Sequence, residues 1–327
     1  MMSLKNYKMN SYFFEVIRPG VNTTFQDKGR FYMQHLGVTP GGCMDLELFS
    51  IANSLVGNSL DEGVLEFAYQ GPLLKLIKGR AKIVITGNVL FKIIKLNQEV
   101  LDGQCNRTYS IDEGDQIDIL ATKKSAYGYM ALEGGFNIKP FFKSISTLAR
   151  AKIGPNQGNK IKINDKINFK TSSKDKKNFA TKIINKNTNK IRVLKGPQFD
   201  YFSNESQKLF FSKEYKISNL TDRMGMRLEG LAMKNIVNTN IRSEGITKGA
   251  IQIPADGQPI ILLTDYPTIG GYPKIANVTS VDYNLLIQKI PGEKICFELI
   301  KLHEAEQLYK EHLNNISKII KNIKEIN

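Results

Sequence analysis

Short apolar or alternating runs broken by Gly, Asn and Asp recur along the chain. They fall at residues 12–17, 64–69, 81–86, 89–96, 116–121 and 127–132, then at 191–194, 224–228, 250–253, 259–264 and 294–300. Runs of this length bounded by turn residues predict strands. With no regular helices between them, they predict barrels or sandwiches rather than a doubly wound sheet. Two segments break the pattern. In residues 44–56, Leu48, Phe49, Ala52, Leu55 and Val56 stand at helical spacing. Asp45 and Glu47 sit early, where negative charge suits a helix N-terminus, and Gly57-Asn58 supplies a stop. In the tail, Leu302, Ala305, Tyr309, His312, Ile316, Ile319, Ile323 and Ile326 alternate spacings of three and four. That is one apolar stripe on a helix of about seven turns, packing on its own domain or on a partner subunit.

These elements divide the chain into a β-rich half at 12–170, an exposed Lys/Asn-rich connection at 171–190, a second β-rich half at 191–300 and a helical tail at 301–327. No internal repeat is evident. No apolar run approaches the ~18 residues a bilayer span needs, and residues 1–10 lack a signal-like apolar region. A cytoplasmic protein without membrane contact is the expectation. The 46 basic and 31 acidic residues give a net charge of +15. Residues 151–190 hold eleven Lys and two Asp, so +9 of that charge lies in one segment, and Lys outnumbers Arg 37 to 9. Specific nucleic-acid recognition favours Arg forks, so this distribution argues against nucleic acid as a partner. Three Cys and three His are too few and too scattered for a disulfide framework or a metal centre, and no metal is expected.

Three dense segments are candidates for chemistry. The first runs from Arg18 through Asp27, Gly29 and Arg30 to His35, then Pro40-Gly41-Gly42-Cys43-Met44-Asp45. It reads either as a pocket wall facing an anionic group or as a capped turn with an Asp27–Arg30 ion pair. His35 is the one His outside the tail, and it reads either as a structural residue or as a proton carrier beside a Gly-rich turn. Asp45 and Asn53 lie on similar helix faces, with Asn58 beyond the end. Glu66 shares a strand face with Val64 and Ala68, so it is either ion-paired or raised in pKa. In the second segment, residues 222–230 taken as a strand place Arg223, Gly225, Arg227 and Glu229 on one face. Two Arg there suit a carboxylate or phosphate, or else form an Arg–Glu ladder on a solvated face. The third holds Ser243, Gln252, Asp265 at a strand end, Thr268 and Tyr272. Asp265, Thr268 and Tyr272 offer acceptor, hydroxyl and phenol to one small ligand, or form a hairpin whose Asp caps a turn.

There is no Walker phosphate loop, nucleophile elbow or zinc helix. Ala232-Met233-Lys234-Asn235 is only partly like a biotin-carrying stretch.

Taken together, the chain resembles the allophanate hydrolase subunit 2 family, also called the biotin-dependent carboxyltransferase family, which includes the C-type subunit of the ATP-dependent 5-oxoprolinase. The resemblance rests on Arg18-Pro19-Gly20, Thr23–Asp27, Gly29-Arg30, Gln34–Val38, Met44-Asp45, Ala52-Asn53, Leu55–Asn58 and Leu65-Glu66. It continues through Arg223-Met224-Gly225, Arg227–Gly230, Ser243–Gly245, Gly249–Gln252, Asp256–Ile260 and Gly270–Pro273. The order holds from about residue 13 to 300. The Lys-rich middle, the helical tail, Cys43 and Met226 depart from the family pattern.

The resemblance implies a mainly β fold of two cyclophilin-like β-barrel subdomains with a few short helices. It implies two partners, a B-type subunit of the same family system and a lactam-utilisation-type A subunit. The implied reaction takes 5-oxoproline, ATP and water to glutamate, ADP and phosphate, with ATP bound somewhere in the complex. In urea amidolyases a related region transfers carboxyl from carboxybiotin to urea, which would make biotin the cofactor. A third reading is a non-catalytic regulatory subunit. Under the oxoprolinase reading Arg223 and Arg227 clamp the substrate carboxylate, and Glu66, Asp265 or His35 moves a proton. Asp45, Asn53, Asn58, Ser243, Gln252, Thr268 and Tyr272 line the substrate site.

Overall fold

The computed structural model describes residues 12–175, 177–183, 188–237 and 240–326. The first half is two antiparallel sheets on one core. One sheet has the order Lys166–Phe169, Tyr12–Arg18, Leu73–Lys78, Gln116–Thr122, Val89–Ile94, Val100–Asp102. The other has the order Asn22–Gln26, Val64–Ala68, Tyr127–Leu132, Ala81–Thr86, Thr108–Ile111. Strands of the first sheet alternate buried and open positions, as expected where one face meets solvent. The strands Val64–Ala68, Ala81–Thr86 and Tyr127–Leu132 are buried at every position, because their sheet is covered on both faces. Leu65, Phe67, Ile83, Ile85, Met130 and Leu132 point into the core between the sheets. Their alternates Val64, Ala68, Val84, Tyr127, Tyr129 and Ala131 point the other way, into a second core shared with the first helix and the second half.

The second half is a closed barrel of seven strands. Their order is Lys190–Lys195, Lys274–Val278, Ala250–Gln252, Ile260–Leu262, Gly225–Glu229, Tyr215–Thr221, Lys294–Leu299. The barrel closes through the parallel pairing of its first and last strands in the sequence; its other neighbours are antiparallel. Helices Asn204–Ser212 and Ser280–Ile287 pack on it, each started by a hydroxyl cap, Ser203 accepting from Ser206 N–H and Thr279 from Asp282 N–H.

The helix expected at 44–56 spans Leu46–Leu55, and Asp45 is its N-cap. The tail differs from expectation. Its helix, Leu302–Lys321, stops short of Ile323 and Ile326. Residues Lys324–Ile326 instead form a strand that pairs with Asn178–Ala180. The 171–190 segment is therefore not a plain exposed connection. Phe179 and Ile183 from it, with Ile319 and Ile323 from the tail, pack against the shared core. The helix lies against Leu46–Leu55 and Ser280–Ile287, so part of its stripe is used within this chain, across the two halves, while Leu302 and Tyr309 stay exposed. Among the described residues no helix is long and apolar enough to cross a membrane.

Candidate active site between the two halves

The strand Val64–Ala68 has Leu65 and Phe67 turned inward, so the two-residue period turns Glu66 toward the second half. Glu66 is buried. Its Oε2 accepts from the Met44 N–H at 2.7 Å, and its Oε1 pairs with Arg223 Nη1. Arg223 sits in the tight turn between Tyr215–Thr221 and Gly225–Glu229. The Asp222 carboxylate fixes that turn by accepting from the N–H groups of Met224 (2.7 Å) and Gly225 (3.1 Å). Asp265 follows the strand Ile260–Leu262, and its N–H donates to the Arg223 carbonyl at 2.8 Å. The backbones thus hold the two side chains side by side. Arg223 Nε and Nη2 donate to Asp265 Oδ2 and Oδ1 at 2.8 and 3.0 Å, a bidentate pair, and Nη2 also donates to the Gly42 carbonyl at 2.5 Å.

Burial pushes the Glu66 carboxyl up, against the pull of Arg223 and the Met44 N–H. Burial also disfavours the Arg223 charge, but Asp265 and Glu66 outweigh it and hold the guanidinium firmly protonated. Asp45 lies beside them. Its Oδ1 accepts from the Glu47 and Leu48 N–H groups at 3.1 Å, and its Oδ2 from Gln288 Nε2 at 3.0 Å. Burial dominates and lifts its pKa to about 7. Gln288 also accepts from the Tyr127 N–H at 3.0 Å, so one amide from the second half ties the helix cap and a strand of the first. The Asp45 N–H donates to the Tyr129 hydroxyl at 2.7 Å. Burial raises the Cys43 thiol well above its ordinary range, which keeps it a neutral thiol. Lys248, lowered by burial, lies 4.6 Å over the Tyr283 ring. On another flank of Arg223 a cavity of about 180 Å³ opens between the halves, lined in part by Tyr69, Tyr127, Asp222 and Leu263.

The structure therefore brings together Glu66, Arg223, Asp265 and Asp45. It does not bring Arg227 to them. The strand begins only at Gly225, Arg223 belongs to the turn, and Arg227 lies exposed on the outer face of the barrel. The paired clamp is thus not assembled, and Arg223 already spends its fork on Asp265. Asn53 and Asn58 sit at the far end of the helix from Asp45. Asn53 donates to the Glu62 carbonyl, and Asn58 spans Asn53, the Leu132 carbonyl and the Gly134 N–H. They fasten the loop after the helix. His35 is exposed in a short turn, Gln34–Leu36, well along the excursion that follows Arg30. Ser243 and Tyr272 are exposed and Thr268 half-buried, around the two-stranded ribbon of Glu244–Gly245 and Ile269–Gly270. Gln252 is buried behind that ribbon with its Nε2 unpaired among the described residues.

Sequence reasoning missed Lys274, which is 3% exposed and pairs with Glu244; Glu244 also accepts from Gln198 Nε2 at 2.8 Å. The position of Lys274 after Gly270-Gly271-Tyr272-Pro273 was the available signal. Arg30, named from the sequence, has a different partner from the one offered there. The Asp27–Arg30 ion pair does not form. Asp27 instead accepts from Gly29 N–H, Ser144 Oγ, Ile145 N–H and Ser146 Oγ at 2.5–2.8 Å.

The family described as "Carboxyltransferase domain, subdomain A and B" matches residues 36–299. The chain belongs to this family. It is 30% identical to the 5-oxoprolinase C subunit of Haemophilus influenzae, over 91% of this chain and 95% of that one. The 5-oxoprolinase C subunit of Escherichia coli (strain K12) is 29% identical, over 91% of this chain and 97% of its own length. Among solved structures, the K. lactis urea amidolyase superposes with a TM-score of 0.86 at 26% identity over 97% of this chain. This carboxyltransferase-family chain spans about a fifth (20%) of that amidolyase. The mainly β architecture expected from the sequence is the one observed, and the relatives are subunits or domains of enzymes.

Proposed function

We propose that this chain is a subunit of an ATP-dependent 5-oxoprolinase. The observation that carries the reading is the match to two 5-oxoprolinase C subunits, at 29–30% identity over 95–97% of their length. Its partners would be the B-type and A-type subunits of the same system. A lactam resists hydrolysis, so the amide oxygen must be activated, and ATP supplies that activation as cosubstrate. The described residues build no Walker-type phosphate cradle, so ATP is assigned to the complex and no step is assigned to it on this chain. What this chain contributes is a preorganised, water-poor ion cluster at the junction of its halves, where charge developing on an amide is stabilised more strongly than in water. Within it Glu66, raised by burial, is the candidate to hold or release a proton, and Asp265 the candidate acceptor.

The test is reconstitution of the chain with its B-type and A-type partners, following ATP-dependent glutamate release from 5-oxoproline with and without it. Release that requires the chain supports the reading. Stable assembly with no release moves the assignment to the second reading, carboxyl transfer from carboxybiotin to a urea-like amide, which the 0.86 superposition on the amidolyase favours. Under that reading the 232–235 segment is not the biotin carrier: it lies in a loop, with the Lys234 N–H bound to Ser206 Oγ, rather than in a carrier hairpin.

A further inference from the structure

Arg30 is 1% exposed. Its Nη2 donates to the Ser146 carbonyl, but Nε and Nη1 have no hydrogen-bond partner among the described residues. A buried donor left unpaired is costly, and a charged one more so, which calls for an occupant. Asp27 forms no ion pair with Arg30: four other donors orient its carboxylate, three at Oδ1 and one at Oδ2.

Gly41 faces this open edge, with φ at +62°. A Cβ at Gly41 would lie 3.8 Å from Arg30 Nη1 and 3.6 Å from Asp265 Oδ1, with no other atom within 4 Å. Those are ordinary contact distances. The missing side chain therefore marks a slot about one atom deep between a guanidinium and a carboxylate that do not pair with each other. Arg223 donates one hydrogen bond to each Asp265 oxygen, which leaves lone pairs free. The slot offers one donor on one wall and one acceptor on the other.

We propose that Arg30 and Asp265 read the edge of a cis amide, Arg30 Nη1 donating to its carbonyl oxygen and Asp265 Oδ1 accepting from its N–H. A lactam and a urea both present C=O and N–H on one edge. A trans amide points them apart, an ester lacks the donor, and a carboxylate is repelled by Asp265. The inference rests on the amide-processing reading above and deepens it: the specificity element is Arg30 with Gly41, where Arg223 is already committed.

The test is titration of the purified full chain with 2-pyrrolidone, 5-oxoproline and urea, with N-methyl-2-pyrrolidone as the analogue lacking the N–H. The N–H amides should bind the wild type, and N-methylation should weaken 2-pyrrolidone at least tenfold. Gly41→Ala places a methyl in the slot at tolerable distances, with some backbone strain, and should weaken all three amides at least tenfold; Arg30→Met should do the same. Equal affinity for the N-methyl analogue, or no amide binding to the wild type, overturns the proposal. So does wild-type affinity in a folded Gly41→Ala chain. If that variant does not fold, the N-methyl comparison on the wild type decides. Glutamate release that needs this chain without N–H-dependent binding overturns the slot and keeps the oxoprolinase reading. N–H-dependent binding with no release does the reverse.

Discussion

Two buried arginines lie on either side of Asp265 and have opposite states. Arg223 has every guanidinium nitrogen engaged, by Glu66, Asp265 and the Gly42 carbonyl. Arg30 has one engaged nitrogen and two idle ones among the described residues. Both are buried, so burial does not distinguish them. The difference lies in what each holds together. Arg223 joins a strand and loop of the first half to a turn and a strand end of the second, and is a fastener at the junction. Arg30 stays within the first half and presents an unused edge to the same carboxylate. A charged side chain in a site is available for a ligand only when the protein has not already spent its hydrogen bonds.

Substitutions can break this contrast or sharpen it. The largest effect is expected from Arg223→Met. It leaves Glu66 and Asp265 buried without their cation, which should destabilise the chain by about 3–5 kcal/mol in denaturant unfolding. Loss of activity in that variant would then report folding rather than substrate binding. A cost under about 1 kcal/mol would show that Arg223 is not a fastener.

Next is Asp45. Burial raises its folded pKa from 3.8 to about 7, so the native state holds a proton that the unfolded state has lost. Stability should therefore fall as pH rises from about 4 to about 7, by on the order of a few kcal/mol. Glu66 adds in the same direction, since its pKa is also raised. Asp45→Asn still caps the helix and should flatten the slope; an unchanged slope would place the titration elsewhere.

Arg30→Met should cost only about 1–2 kcal/mol, because it removes one hydrogen bond and strands no hydrogen-bonded carboxylate. A loss as large as that of Arg223→Met would erase the contrast. The smallest effect belongs to Arg227→Ala on the exposed barrel face, within about 0.5 kcal/mol of wild type and with unchanged turnover in the reconstituted complex. Impaired turnover would restore Arg227 as a substrate clamp.

The pattern of apolar positions made much of this legible. Glu66 between Leu65 and Phe67 had to face away from them, and the double burial of its sheet turned that direction into the junction. Asp265 at the end of an apolar strand and the helix capped by Asp45 were likewise readable. Arg223 was readable as a candidate anion-binding Arg in the 222–230 segment. Its setting is not readable from the sequence, because the strand starts at Gly225, three residues later than the 222–230 reading puts it. Asp222 closes a turn with its side chain, and the alternation that paired Arg223 with Arg227 starts only after it. The sequence places Asp45 and Asn53 on similar helix faces, with Asn58 beyond the end. Eight residues of helix rise about 12 Å, which takes Asn53 away from the cap.

What the sequence determined by itself was local: which segments are strands, where the two helices begin, and which face each strand buries. Those follow from periodicity and capping, which act over a few residues. Which charges meet depended on the tertiary structure. Glu66 and Arg223 are 157 positions apart, and Arg30 and Ser146 are 116 apart. Asp27 lies three residues from Arg30 and is not its partner; it is held instead by the Ser144 and Ser146 hydroxyls and the Gly29 and Ile145 N–H groups. The pairing of the tail strand with Asn178–Ala180 arises in the same way, between edges that only the packing of the two halves brings together.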